Sequence, residues 1–266
     1  VDGFYATAYQ GINVYAGLDV AGPPNGYYVE WRGDPGVSLY ASVNDCSSFS
    51  DVLMTRAYGW IPPTTNPRPL AEDYYWAIRS GTGFTEITNV NDVDTGDVIA
   101  LRYPASDADT GHVAWIDAPP SAFAGPPEEP GLSGYAVTVV DSSNDFHDGA
   151  NGPSTAADNR YLGLLSDGSQ CATDLQCLDL YGQNATCNST ELSEFVDGGT
   201  VPFSVCAYSG VGRGQMRLFA DSTGTIQGYS WSPDAYSSFY PRPNPLPAQG
   251  ASFPSNDIVV GRYVGQ

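Results

Sequence analysis

Between residues 46 and 58, Phe49, Val52, Leu53 and Ala57 recur at helical spacing, which predicts an amphipathic helix with one apolar face. Asp45 or Asn44 can cap its start, and Gly59 followed by Pro62 and Pro63 stops it. The stretch PLAEDYYWAIRSG (69–81) predicts a second helix that ends at Gly81. The pattern then changes to short β-rich runs: GDVIALRY (96–103), HVAWID (112–117), YAVTVVDSS (135–143), GQMRLFAD (214–221), TIQGYSWS (225–232) and DIVVGRY (257–263). Turn residues such as DSTG (221–224) bound them, and sequential strands with short links predict an antiparallel sheet. Residues 1–40 are Gly/Tyr-rich with short alternating runs and predict a loop and hairpin region. Residues 144–205, rich in Asn, Asp and Gly, interrupt the strand series and predict an insertion within the sheet. Helices first and an antiparallel sheet after is an α+β plan, and 266 residues suffice for a single domain over 1–266.

Composition narrows the chemistry. The chain carries 30 acidic and 10 basic residues, and all ten basic residues are Arg. Without Lys there is no Walker A lysine, no lysine Schiff base and no pyridoxal phosphate anchor, so no cofactor is expected. A formal net charge of −20 argues against nucleic-acid partners, which need a basic face, and against anionic membranes. No apolar run is long enough to span a bilayer. DVDTGD (92–97) and DADTGH (107–112) hint at calcium loops, but Tyr103 and Ala118 stand where the twelfth-position Glu belongs. No metal is expected from these segments.

Cysteine spacing points to export. Cys171, Cys177, Cys187 and Cys206 lie close together while Cys46 stands alone, which predicts two local disulfides and one free thiol. Proximity in sequence suggests Cys171–Cys177 with Cys187–Cys206. A zinc site is the weaker reading, because the cluster lacks a CxxC and a nearby His. Two sequons, at Asn184 and Asn188, mark the same stretch as a surface loop. A chain that opens on Val fits removal of a leader, so a secreted location, extracellular or periplasmic, is expected.

Cys46 is the residue with chemical promise. A thiol reacts as thiolate, and a helix N-terminus favours negative charge there through its unpaired N–H groups. Asp45 opposes that shift, so a positive partner is needed. The chain has two histidines, His112 and His147. His112 opens a strand directly after Gly111, where its ring can project toward a packed helix and act as base. Asp141, at the end of the next strand, can accept from the ring and orient it. Ser142 or Asn144 could orient it instead. His147, in a loop, is read as substrate-facing or exposed, with the option of replacing His112 as base. A GxSxG elbow is absent, since GYSWS (228–232) lacks the final Gly.

Four blocks resemble the papain-like cell-wall hydrolases of the NlpC and CHAP types, in order: DCSSFSDVLM (45–54), TGDVIAL (95–101), GHVAWID (111–117) and VVDSSN (139–144). The resemblance covers roughly residues 36–143. It implies a papain-like core, with a Cys46-bearing helix packed on an antiparallel sheet and a disulfide-stapled insertion. It implies Cys46 as nucleophile, His112 as base and Asp141 in the third catalytic place. Ser48 replaces the Gly of the first block, and Asp141 stands where His or Asn is usual. A Tyr upstream of the nucleophile helps bind the oxyanion in the family; Tyr40 is the candidate here, with the Cys46 backbone N–H as the other donor. The expectation is therefore a secreted, monomeric thiol hydrolase of amide bonds, acting on a peptide or a cell-wall fragment. Deamidation and acyl transfer would use the same triad. The alternative is a non-catalytic extracellular binder of peptide or carbohydrate, with 18 Tyr and five Trp to line its surface.

Overall fold

The computed structural model describes residues 12–15, 28–30, 41–107, 109–123, 129–143, 147, 161–163, 169, 171–172, 176–177, 185–196, 199–233, 237–243, 248 and 255–265. Helix α1 (Cys46–Tyr58) starts in a capping box. The Ser48 N–H donates to Asp45 Oδ1 at 2.8 Å, and the Asp45 N–H donates to Ser48 Oγ at 2.9 Å. Ser48, the departure from the motif's Gly, thus closes the cap. Gly59 ends the helix in the left-handed region and returns its N–H to the Thr55 carbonyl. The connection to α2 (Ala71–Ser80) brings Arg68 back to the first turn of α1, where it ion-pairs with Asp45 and donates to Ser47 Oγ at 2.7 Å. Tyr74 of α2 donates its hydroxyl to Asp51 of α1 at 2.8 Å, which ties the two helices together.

The frame is an eight-stranded sheet. Its strands are β4 (Phe84–Ile87), β5 (Val98–Arg102), β6 (Gly111–Phe123), β7 (Ser133–Ser143), β11 (Gly210–Ala220), β12 (Ile226–Ser230), β13 (Tyr240–Pro241) and β14 (Asp257–Tyr263). They lie in the order β13-β12-β11-β7-β6-β5-β14-β4, and every neighbouring pair is antiparallel. The sheet curls until its ends meet. The Ile226 N–H donates to the Thr88 carbonyl and the Val90 N–H to the Gly224 carbonyl, both at 2.9 Å. Arg242, just past β13, donates to Glu86 of β4 at 2.7 Å. Ile99, Leu101, Ala114, Ile116, Val137, Val139, Met216 and Leu218 fill the inside of this incomplete barrel. The alternate residues Val98, Ala100, Val113 and Val259 face outward and are covered by Met54, Tyr74, Tyr75 and Ile78 of the helices. Strand β5 is therefore apolar on both faces, which is why VIAL reads as a continuous run and not as an alternation.

This architecture overturns the α+β, papain-like expectation. Among the described residues, two helices of 13 and 10 residues are accessory to a large antiparallel sheet of eight strands. The reason is long-range pairing: β14, from the end of the chain, inserts between β5 and β4 and makes one large sheet from distant runs. Residues 1–40, expected as loops and a hairpin, contribute β1 (Ile12–Tyr15) and β2 (Tyr28–Glu30) to either side of β3 (Ala41–Asn44). The β1–β3 pair is parallel. Between β7 and β11, which are hydrogen-bonded neighbours, stands a separate sheet of β8 (Tyr161–Gly163), β10 (Gly199–Tyr208) and β9 (Ala185–Val196). The disulfides there are Cys171–Cys187 and Cys177–Cys206, not the local pairs expected. Cys187 and Cys206 sit opposite each other in the β9–β10 register, yet each bonds to a cysteine of the 171–177 segment. The two bridges thus fasten that segment to both strands, with Cα separations of 5.8 and 5.3 Å in the usual range. Asn188 lies on β9 and not in a loop; Asn184 is outside the described residues. No helix among the described residues is long and apolar enough to cross a membrane.

Two measurements probe the helix layer. Asp45→Ala removes the cap and the Arg68 partner together, and is expected to lower the unfolding free energy by about 1–2 kcal/mol in urea titration. An unchanged urea midpoint would show the capping box to be idle. Burial pushes the Asp51 carboxyl up to about 7, against the pull of the Tyr74 hydroxyl and of Arg68. A carboxyl raised on folding stabilises most below its unfolded pKa and loses that contribution as pH rises toward 7. Asp51→Asn should therefore gain stability relative to the native chain between pH 4 and pH 8. Parallel stability–pH curves for the two proteins would contradict this.

Candidate active site

The site is built on the first residues of β6. Gly111 has φ 142°, and a Cβ there would meet the Leu101 carbonyl oxygen at 2.0 Å, so only glycine lets β6 approach β5 so closely at this end. His112 follows at once. Asp141 of β7 lies opposite Ala114, two residues along β6 from His112. Residues two apart share a face, and the diagonal spacing is within reach of an imidazole and a carboxylate. The His112 Nε2 to Asp141 Oδ2 distance is 2.6 Å. His112 is 5% exposed and Asp141 is fully buried, at the end of the strand face that carries Val137 and Val139 into the barrel.

His147, four residues past the end of β7, returns to the same carboxylate. Its Nε2 lies 3.0 Å from Asp141 Oδ2, and its Nδ1 lies 2.7 Å from the Trp231 carbonyl oxygen. A carbonyl oxygen only accepts, so Nδ1 is protonated and donates. The Trp231 ring packs on both imidazoles, with centroids 4.2 Å from His147 and 4.9 Å from His112. The expectation of a substrate-facing or exposed His147 is thus corrected: its ring is fully buried.

Cys46 opens α1, and its sulfur rests against the main chain on both sides of His112. Its thiol is 4.0 Å from the Gly111 carbonyl oxygen, and the Val113 N–H points toward the sulfur. Among the described residues the sulfur makes no hydrogen bond to the His112 ring. The expected lowering of the thiol pKa at the helix start does not occur. Burial pushes it well above its ordinary value, the Asp45 charge adds to this, and the Val113 N–H only partly offsets them. Asp109 and Asp141 raise it further. The helix N-terminus gives little help because the Asp45 carboxylate already takes its first-turn N–H. In this arrangement Cys46 is a neutral thiol.

The other candidates separate. Ser142 turns to the opposite face from Asp141 and donates to the Asn44 carbonyl at 3.2 Å, which fastens β7 to β3. It does not orient His112. Tyr40 and Asn144 lie outside the described residues. Trp231 is a site residue that sequence reasoning misses: the sequence marks TIQGYSWS (225–232) as a strand, and its GYSWS lacks the last Gly of a nucleophile elbow. Its one sequence signal is an aromatic at the end of a strand, which is too common to single out.

Comparison with known proteins adds one relative. No family model matches the chain, and no solved structure matches it. Among curated proteins it is similar to the uncharacterized protein R653 of Acanthamoeba polyphaga mimivirus, with 27% identity over 218 residues, covering 77% of this chain and 75% of the viral protein.

The state of the sulfur is directly measurable. Iodoacetamide should label Cys46 of the folded protein slowly at pH 7, with the rate still climbing above pH 9. Labelling at pH 6 as fast as at pH 9 would show a thiolate and contradict the burial argument.

Proposed function

We propose that the chain is a thiol hydrolase of amide bonds in which Cys46 attacks, His112 moves the proton and Asp141 orients His112. One observation carries this reading: a buried His112–Asp141 contact of 2.6 Å, with the Cys46 sulfur lying against the two residues that flank His112. Because the thiol is neutral, His112 acts as a general base during attack, with no ion pair formed beforehand. The sulfur bonds to the carbonyl carbon as its proton passes to the imidazole, and Asp141 stabilises the resulting imidazolium. The backbone N–H of Cys46 donates to the oxyanion. Collapse breaks the C–N bond, and the imidazolium protonates the leaving amine. Water, deprotonated by His112, then cleaves the thioester and restores the thiol.

The motif blocks shared with NlpC- and CHAP-type hydrolases support a peptide or isopeptide substrate, with cell-wall stem peptides as the first class to try. Only the motifs support this; the architecture does not. Two disulfides support a secreted location. The raised thiol pKa favours a second reading, a non-catalytic extracellular binder of peptide or carbohydrate.

Incubation with wall fragments and a panel of peptide amides, in the presence of a chelator and read by mass spectrometry, separates the two. The hydrolase reading expects a cleaved amide, an acyl adduct on Cys46 and no turnover in Cys46→Ala. His112→Ala should lower kcat by about 10²–10⁴-fold. Turnover that survives Cys46→Ala, or none on any amide, would remove it.

A further inference from the structure

We propose that His112, Asp141 and His147 form a binding site for a divalent transition metal of the zinc class. The only two histidines of the chain converge on one carboxylate oxygen, at 2.6 and 3.0 Å. One ligand atom from each of the three residues lies within 4.8 Å of the other two, and all three side chains are buried. Two imidazoles and a carboxylate suit zinc or cobalt, and three protein ligands leave a fourth position open. Ligands at bond lengths of roughly 2.0–2.1 Å around a tetrahedral ion stand roughly 3.3 Å apart. To reach that spacing the two contacts to Asp141 widen by roughly 0.7 Å at His112 and roughly 0.3 Å at His147.

The surroundings fit the same purpose. His147 donates its Nδ1–H to the Trp231 carbonyl at 2.7 Å, which leaves Nε2 aimed at Asp141. Such a donation from the far nitrogen is how ligating imidazoles are held in orientation. The other clustered set, Cys171, Cys177 and Cys187, is committed to disulfides and offers no thiolates.

A metal here would take the His112 Nε2 and the Asp141 oxygen that orients it. On the hydrolase reading, which this consequence alone rests on, the loaded protein is the inactive form. The site itself is tested without reference to activity. The whole protein, stripped with a chelator, is titrated with Zn²⁺ in equilibrium dialysis and with Co²⁺ in absorption. One tight equivalent is expected above the weak binding of the acidic surface, with a cobalt spectrum free of sulfur charge transfer and unchanged in Cys46→Ala. His147→Ala and His147→Gln should bind at least about 100-fold more weakly, with far-UV circular dichroism confirming their fold. Absence of a tight equivalent in the native protein, or equal binding by the folded His147 variants, would overturn the site. Amide turnover in chelator that zinc abolishes supports both readings. Zinc binding without turnover in chelator removes the hydrolase and leaves the site, and turnover without zinc binding does the reverse.

Discussion

A fully buried carboxylate shared by two imidazoles is the constraint around which this end of the molecule is arranged. Asp141 on β7 has no access to water. An ionised group so placed is costly unless charge-assisted hydrogen bonds replace its hydration. His112 and His147 supply them from two directions, and the Trp231 ring and carbonyl hold both imidazoles in place. Residues from β6, β7, the segment after β7 and the end of β12 are thereby tied at one mouth of the barrel. The geometry that closes the fold here is also the geometry that aims an imidazole.

The helix side of the site follows a different logic. Asp45 caps α1 and is held by Arg68, which fixes the position of Cys46. The same carboxylate raises the cost of a sulfur anion beside it. Position and activation therefore pull in opposite directions: the cap that places the thiol against β6 also keeps it protonated. A proton acceptor has to come from the barrel side, and His112 lies between Gly111 and Val113, the two residues that the sulfur rests against.

Much of the local structure was legible in the sequence. Apolar spacing with Asp45, Gly59 and Gly81 placed both helices, and turn residues bounded six strands of the large sheet. The class was not legible, because nothing local says that β14 enters between β5 and β4 or that the sheet curls until Thr88 meets Ile226. The disulfide pairing failed for a similar reason: short loops were favoured, while the actual bridges follow the spatial approach of the 171–177 segment to two strands. At the site, the proximity of His112 and Asp141 could be drawn from adjacent strands. The burial of His147 could not, since a return from a loop leaves no periodic trace. The thiol's neutrality was not legible either, because a sequence displays the helix start but not the burial that outweighs its dipole.

The shared carboxylate is tested most directly by nitrogen-resolved NMR of the imidazoles, in the native protein and in Asp141→Asn. The account predicts a proton bonded to Nδ1 of His147 in the native protein and a shift of both imidazole Nε2 signals in the variant. An unprotonated His147 Nδ1, or a variant in which only one ring responds, would contradict it.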